Sequence, residues 1–231
     1  MADVRLFGYL PENECMERMC RMFRGGYLGK ALRVDLSSRT WSVEDVDCDV
    51  QHRYLGGRGV AARYYFNEIP GGTEPGGPAN KLFFFAGPLT GAPVPASGKF
   101  QCATVSPETG HYLCSNSGGN FGPHLKFSGY DGLVIEGRAD GPVYLWICDD
   151  HVEIRDAAEL WGLSVGETVE RLKGDTGDVG ISTMVVGPAA ERGVRFSGIQ
   201  VDGRSFGRGG AGAVMAGKNL KAIAIHGTGR V

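Results

Sequence analysis

Two glycine-dense segments, Ser115-Asn116-Ser117-Gly118-Gly119-Asn120-Phe121-Gly122 and Asp202-Gly203-Arg204-Ser205-Phe206-Gly207-Arg208-Gly209-Gly210, constrain this chain more than any other feature. Each leads into a short helix-like stretch and then an apolar, strand-like run. Glycine lets the backbone come close to an anion and turn successive N–H groups toward it, and a helix start just beyond adds a partial positive charge. Such a layout suits phosphate. Its occurrence twice points to two phosphate-bearing groups on one scaffold.

Sliding the chain along itself by 90 residues pairs Gly119 with Gly209, Gly122 with Gly212 and Gly137 with Gly227. Leu125 then falls on Met215, Leu133 on Ile223 and Ile135 on Ile225. Each copy reads as glycine loop, short helix, strand, glycine. A weaker echo pairs Val105-Ser106-Pro107 with Val186-Gly187-Pro188. Abundant glycine can produce part of such a match by chance, whereas duplication also accounts for the aligned apolar positions. Two copies at this period exclude a solenoid and predict a pseudo-twofold domain.

The 231 residues suffice for a substantial core, and 42% hydrophobic content supports one. The 38 glycines, against a usual share of roughly 7%, mark a loop-rich protein. A net charge of −2 offers no general attraction to nucleic acid, so local clusters must carry any phosphate binding. Cysteines 15, 20, 48, 102, 114 and 148 contain no C-x-x-C pair and no spacing typical of a zinc or iron–sulfur site. No segment has the length of a membrane span, and no leader is evident. These features place the chain in a reducing cytoplasm, with free thiols and without nucleic-acid or membrane partners.

Residues 1–25 read as an appended helix, with Met16, Met19, Cys20 and Phe23 on one face. From residue 26 onward the pattern is that of a single α+β domain, rich in strands with short helices between them. A hairpin is expected around Leu32 to Val43 and a helix over Val60 to Glu68. Strands are expected at Leu82–Ala86, Phe100–Val105, Leu133–Glu136, Val143–Cys148, Thr183–Val186, Val194–Val201 and Ala222–Ile225. Short helices should follow each glycine segment.

Six ordered strings carry a resemblance: Gly29-Lys30-Ala31-Leu32-Arg33-Val34-Asp35-Leu36-Ser37, Tyr54-Leu55-Gly56-Gly57-Arg58-Gly59, Ala86-Gly87-Pro88-Leu89-Thr90-Gly91, Ser115-Asn116-Ser117-Gly118-Gly119, Gly129-Tyr130-Asp131-Gly132 and Gly207-Arg208-Gly209-Gly210-Ala211-Gly212-Ala213-Val214-Met215. Together they resemble the N-terminal domain of the tungsten-containing aldehyde:ferredoxin oxidoreductase family, from about Gly26 to Gly227.

The resemblance implies two intertwined repeats built on two multi-stranded sheets, so that residues 26–231 form one side of the cradle for a tungsten (or molybdenum) bis-pyranopterin. It assigns cofactor binding to Lys99, Asn116, Ser117, Gly118, Gly119, Arg204, Ser205, Gly207 and Arg208. It also implies a magnesium ion bridging the two pterin phosphates, with main-chain carbonyls of Asn116 and Ser205 as ligands, oxygen donors that suit a hard cation. Lys99 stands where the family usually has arginine, which keeps the charge but loses the planar fork.

The family's [4Fe–4S] cysteines and its proton-handling Glu and His belong to later helical domains. The resemblance therefore gives no catalytic residue here and implies a partner chain carrying those domains, with ferredoxin reached through it. Aldehyde oxidation to a carboxylic acid is the family default, although other members reduce aromatic acyl thioesters. A non-catalytic pterin carrier or assembly module, and a truncated fragment of such an enzyme, are the alternatives. His111, His124 and His226 read as hydrogen-bonded structural residues.

Overall fold

A computed structural model of the chain describes residues 25–231; apart from Gly25, the helix expected over residues 1–25 lies outside the described residues. The twelve strands among the described residues form two mixed sheets of six. The first sheet takes β1 (Lys30–Asp35), β2 (Thr40–Asp45), β3 (Leu82–Ala86), β4 (Phe100–Val105), β5 (Tyr112–Ser117) and β6 (Gly132–Glu136), in the order β2-β1-β6-β3-β4-β5. The second takes β7 (Val143–Cys148), β8 (His151–Asp156), β9 (Ser182–Val185), β10 (Ile199–Val201), β11 (Arg204–Phe206) and β12 (Leu220–His226). Its order, read from the β8 edge, is β8-β7-β12-β9-β10-β11.

The two orders are the same topology. In each, one pair is parallel, β1 with β6 and β7 with β12, and every other pair is antiparallel. Register agrees residue by residue: Phe85 lies opposite Gly132 as Val185 lies opposite Ala222, and Phe84 opposite Cys102 as Met184 opposite Val201. The spacing between equivalents falls from 113 residues at β1/β7 to 100 at β3/β9 and 90 at β6/β12. A single shift along the sequence therefore exposes only the last third of the duplication. The Val105/Val186 echo, at a spacing of 81 residues, matches none of these offsets. Val186 follows β9, and its N–H bonds to the Lys221 carbonyl just as the Ala86 N–H bonds to that of Asp131. The true counterpart of Val186-Gly187-Pro188 is Ala86-Gly87-Pro88.

Helices α1 (Cys48–Tyr54) and α2 (Gly57–Glu68) follow β2, and α3 (Phe121–Phe127) follows the first glycine segment. In the second repeat, α4 (Val165–Thr176) takes the place of α2, a one-turn α5 (Pro188–Glu191) follows β9, and α6 (Ala211–Gly217) matches α3. Strand β3, Leu-Phe-Phe-Phe-Ala, is buried on both faces, which explains its unbroken apolar run. Leu82 and Phe84 enter a central cluster shared with Met184, Val201, Phe206 and Ile223 of the second sheet, whereas Phe83 and Phe85 pack outward against Val60 and Ala61 of α2. A third cluster lies between the second sheet and α4. The layers run α2, first sheet, shared core, second sheet, α4.

Two expectations need correction. Residues 194–198 are not strand, because the chain turns through α5 after Pro188 and pairs only over Ile199–Val201. The second glycine segment, expected to be all loop, contains β11, returned from β10 by a two-residue turn with Asp202 at φ 45° and Gly203 at φ 77°. Asp-Gly flanked by paired residues is the sequence signal for that hairpin.

Candidate functional site

β5 and β11 are the last strands of their sheets and lie beside one another. Register makes Asn116, opposite Gln101, the equivalent of Ser205, opposite Gln200. The two residues expected to share one cation by their carbonyls therefore occupy the same structural position in the two repeats.

Each strand runs directly into its glycine loop, with Gly119 at φ 102° in the first and Gly209 and Gly210 at φ 78° and 84° in the second. These are left-handed positions that side chains other than glycine's rarely adopt. A glycine before each of β4 and β10 permits close approach: a Cβ on Gly98 would stand 2.5 Å from the Gly119 carbonyl oxygen, and one on Gly198 2.6 Å from that of Phe206.

An open cleft of about 410 Å³ forms against the first loop, lined by Ser97, Gly98, Lys99, Gly118, Gly119, Asn120 and Arg204, with Ala96 and Pro123 at its margin. Arg204 comes from the second repeat, and its side chain covers Gly118, where an added Cβ would meet Cδ at 3.3 Å and Nε at 3.5 Å. Lys99 is placed by the Gly87-Pro88-Leu89-Thr90 turn. The Thr90 hydroxyl donates to the Lys99 carbonyl at 2.8 Å and accepts the Gly87 N–H at 2.9 Å.

Of the nine expected residues, Lys99, Gly118, Gly119 and Arg204 line one cleft. Asn116, Ser117 and Ser205 lie on the two strands that lead to it, with Ser117 buried and Asn116 exposed. Gly207 and Arg208 continue the second segment outside the cleft, both exposed. Ser97, Asn120 and Asp202 were missed. Ser97 and Asn120 adjoin motif glycines, and Asp202 carries the hairpin-turn signal.

The start of α3 contributes less than the sequence suggests. The Asn120 N–H is already taken by the Asp202 carboxylate at 3.0 Å, and α3 is only seven residues long. Attraction for an anion here falls on Lys99, Arg204 and the glycine backbone. The residues fit a phosphate group, since the backbone at Gly118 and Gly119 is bare where a Cβ would crowd the cleft wall, and two cationic side chains from different repeats converge on it. Among the described residues no cluster of three or more His, Cys, Asp or Glu side chains could hold a metal.

His124 and His226 are both hydrogen-bonded. His124 Nδ1 accepts the Gly227 N–H at 3.0 Å, His226 pairs with Asp178, and the rings meet edge to face at 5.3 Å. Burial, followed by the neighbouring His226, holds His124 below the usual histidine range. His111 is exposed, and its N–H donates to the Thr109 hydroxyl. Cys102, Cys114 and Cys148 are free thiols as expected, but Cys48 is disulfide-bonded, which corrects that expectation at one position. No helix among the described residues is long and apolar enough to cross a membrane.

Fold and site together define an internally duplicated α+β domain in which the first glycine loop and an arginine of the second repeat line a cationic cleft. The chain belongs to the aldehyde ferredoxin oxidoreductase N-terminal domain family, whose model matches residues 31–227. It is 46% identical over 207 residues to a tungsten-containing aldehyde ferredoxin oxidoreductase of Pyrococcus abyssi, a match covering 89% of this chain and 34% of the relative. It is also 36% identical to an aliphatic sulfonate oxidoreductase, WOR-like subunit, of Pyrococcus furiosus, over 88% of this chain and 35% of the relative. The solved active-site complex BamBC of benzoyl coenzyme A reductase with 1,5-dienoyl-CoA superposes with a TM-score of 0.87 at 36% identity, over 89% of this chain and 32% of that one. The chain thus spans about a third of the length of the relatives it matches.

Proposed function

We propose that this chain holds a tungsten or molybdenum bis-pyranopterin by its two phosphates, within an oxidoreductase that converts aldehydes to carboxylic acids with ferredoxin as acceptor. The observation that carries the reading is the equivalence of Asn116 and Ser205 on adjoining edge strands, each feeding a glycine loop, the first of which lines a cleft completed by Arg204 of the second repeat. Tungsten in the names of relatives about 46% identical supports the metal.

In this reading Lys99 and Arg204 neutralise phosphate charge at the first loop, while Gly118 and Gly119 admit the phosphate to the backbone. Arg208 does the same for the second loop. The carbonyls of Asn116 and Ser205 would offer hard oxygen donors to a magnesium ion that helps neutralise the phosphates. When bound, the cofactor supplies oxygen-atom transfer and the two-electron step, and the protein supplies orientation and screening. The [4Fe–4S] cluster, the proton-handling residues and the docking of ferredoxin belong to domains corresponding to the unmatched two thirds of the relatives, in a cytoplasmic assembly.

The test is anaerobic purification of the assembly containing this chain from tungstate-supplied cells, with metal analysis and fluorescence of the oxidised pterin. Two pterins per tungsten or molybdenum are expected. Arg204→Ala combined with Arg208→Ala should lower occupancy at least about tenfold. An assembly free of both metals and of pterin overturns the proposal. Bound pterin without aldehyde oxidation by the complete assembly makes the chain a carrier instead.

A further inference from the structure

The two glycine loops are braced crosswise. The first belongs to the first repeat, yet the Asn120 N–H donates at 3.0 Å to Asp202, which lies in the β10–β11 turn of the second. The same carboxylate accepts the Ser182 hydroxyl and, through Oδ1, the Thr183 N–H at 2.9 Å, so three donors from two repeats converge on it. It lies so close over Gly119 that an added Cβ there would stand 3.3 Å from Oδ2.

The second loop shows the reciprocal arrangement. Ser106, in the β4–β5 connection of the first repeat, is buried and donates its hydroxyl to the Gly209 carbonyl at 2.8 Å. Leu113 of β5 packs against the same glycine, where a Cβ would clash at 2.1 Å. Neither contact is visible to a reading of the loops as independent motifs.

We infer that Asp202 is a positioning residue for the first anion loop and Ser106 for the second, so that each loop is set by the opposite repeat's hairpin. The inference rests on the phosphate-cradle reading for its consequence, though not for its geometry. Electrostatics alone opposes a carboxylate beside an anion site. Removing the charge should then tighten anion binding. Positioning predicts the reverse, because the Asn120 amide and the adjacent Gly118-Gly119 backbone lose their anchor and the loop must be ordered anew on binding. The two effects differ in sign, so a measurement decides between them.

Asp202→Asn keeps the shape and the bond to Thr183 but places an amide group against the Asn120 N–H. Ser182→Ala removes one partner of Asp202 without touching the loop. Amide hydrogen exchange on the full chain, without ligand, should show the Asn120 amide exchanging about tenfold faster or more in D202N, with β6 and β12 still protected and S182A within about twofold of wild type. Titration with inorganic pyrophosphate should be weakened about fivefold in D202N and unchanged in S182A. Ser106→Ala should speed exchange over residues 209–211 and leave Asn120 alone, and it carries the test if D202N fails to fold.

Unchanged exchange at Asn120 in D202N, tighter pyrophosphate binding, or an equal effect of S182A overturns the inference. A wild-type chain that does not bind pyrophosphate counts against the cradle reading itself, and the exchange comparison then decides the positioning role alone.

Discussion

The Arg33 guanidinium reaches Glu44 at 2.8 Å, Glu68 at 2.8 Å and Glu136 at 3.1 Å, and Lys81 reaches Glu68 and Glu136 at 2.7 Å each. Five side chains on β1, β2, α2, β6 and the approach to β3 share one network, so removing a member leaves charge without its partner. Burial alone would raise Glu68, but hydrogen bonds from Arg33 and Lys81 overcome it and hold the carboxyl below 4.5. Its contribution is present above the unfolded value and lost as pH falls below about 4.5 and through the folded value. Glu68→Gln should cost about 1–2 kcal/mol at pH 7 and flatten the acid limb of the stability profile below pH 4.5, read by denaturant titration at several pH values. An acid limb unchanged from wild type contradicts this. At Gly119, φ 102° and the adjacent Asp202 carboxylate both oppose a side chain. Gly119→Ala should cost about 1–2 kcal/mol and reduce pterin content of the assembly more than it lowers the melting temperature.

Strands β6 and β12 show how one element solves the same packing twice. Gly132 sits under the Phe85 ring, where a Cβ would come within 2.3 Å, while the equivalent pair in the second repeat is Ala222 with Val185. Large with small in one repeat matches medium with medium in the other, at similar total volume. Gly132→Ala alone should destabilise by about 1–3 kcal/mol through overpacking, and Phe85→Val in the same chain should recover part of that loss. A double variant no more stable than G132A refutes the pairing.

Strands buried on both faces, such as Leu82–Ala86, were legible because an apolar run of that length has few other uses. The α3 and α6 positions were legible from the glycines before them. What escaped was decided by distant residues. Ile199 to Val201 pair only because β9 lies alongside, and Arg204 to Phe206 are strand only because Asp202-Gly203 folds them back. In the cleft, Lys99 and Gly118 could be named from motifs. The role of Asp202 depends on the contact of one repeat with the other, which no local string records.

At the scale of the whole molecule the repeats share a single core and cannot fold apart. Phe206 of the second packs on Phe84 at 5.9 Å and on Phe100 at 4.9 Å of the first, and the Lys218 ammonium donates hydrogen bonds to the carbonyls of Asn80 and Gly137 across the boundary. Calorimetry should therefore record one transition with calorimetric and van't Hoff enthalpies equal. Phe206→Ala should lower stability by about 3–5 kcal/mol for both sheets together, observed as equal loss of amide protection in β6 and β12. Two separable transitions would contradict a shared core.

The hairpins that brace the loops are of unequal length. The first repeat connects β4 to β5 through residues 106–111, whereas the second turns in two residues, and the loop after β11 is one residue longer than that after β5. A guest with two matching ends would thus meet two dissimilar hands. One end would be met by a lysine beneath a carboxylate-anchored loop, the other by an arginine on a hydroxyl-anchored one. Identical end groups would therefore be held unequally, and the more weakly held one would be released first.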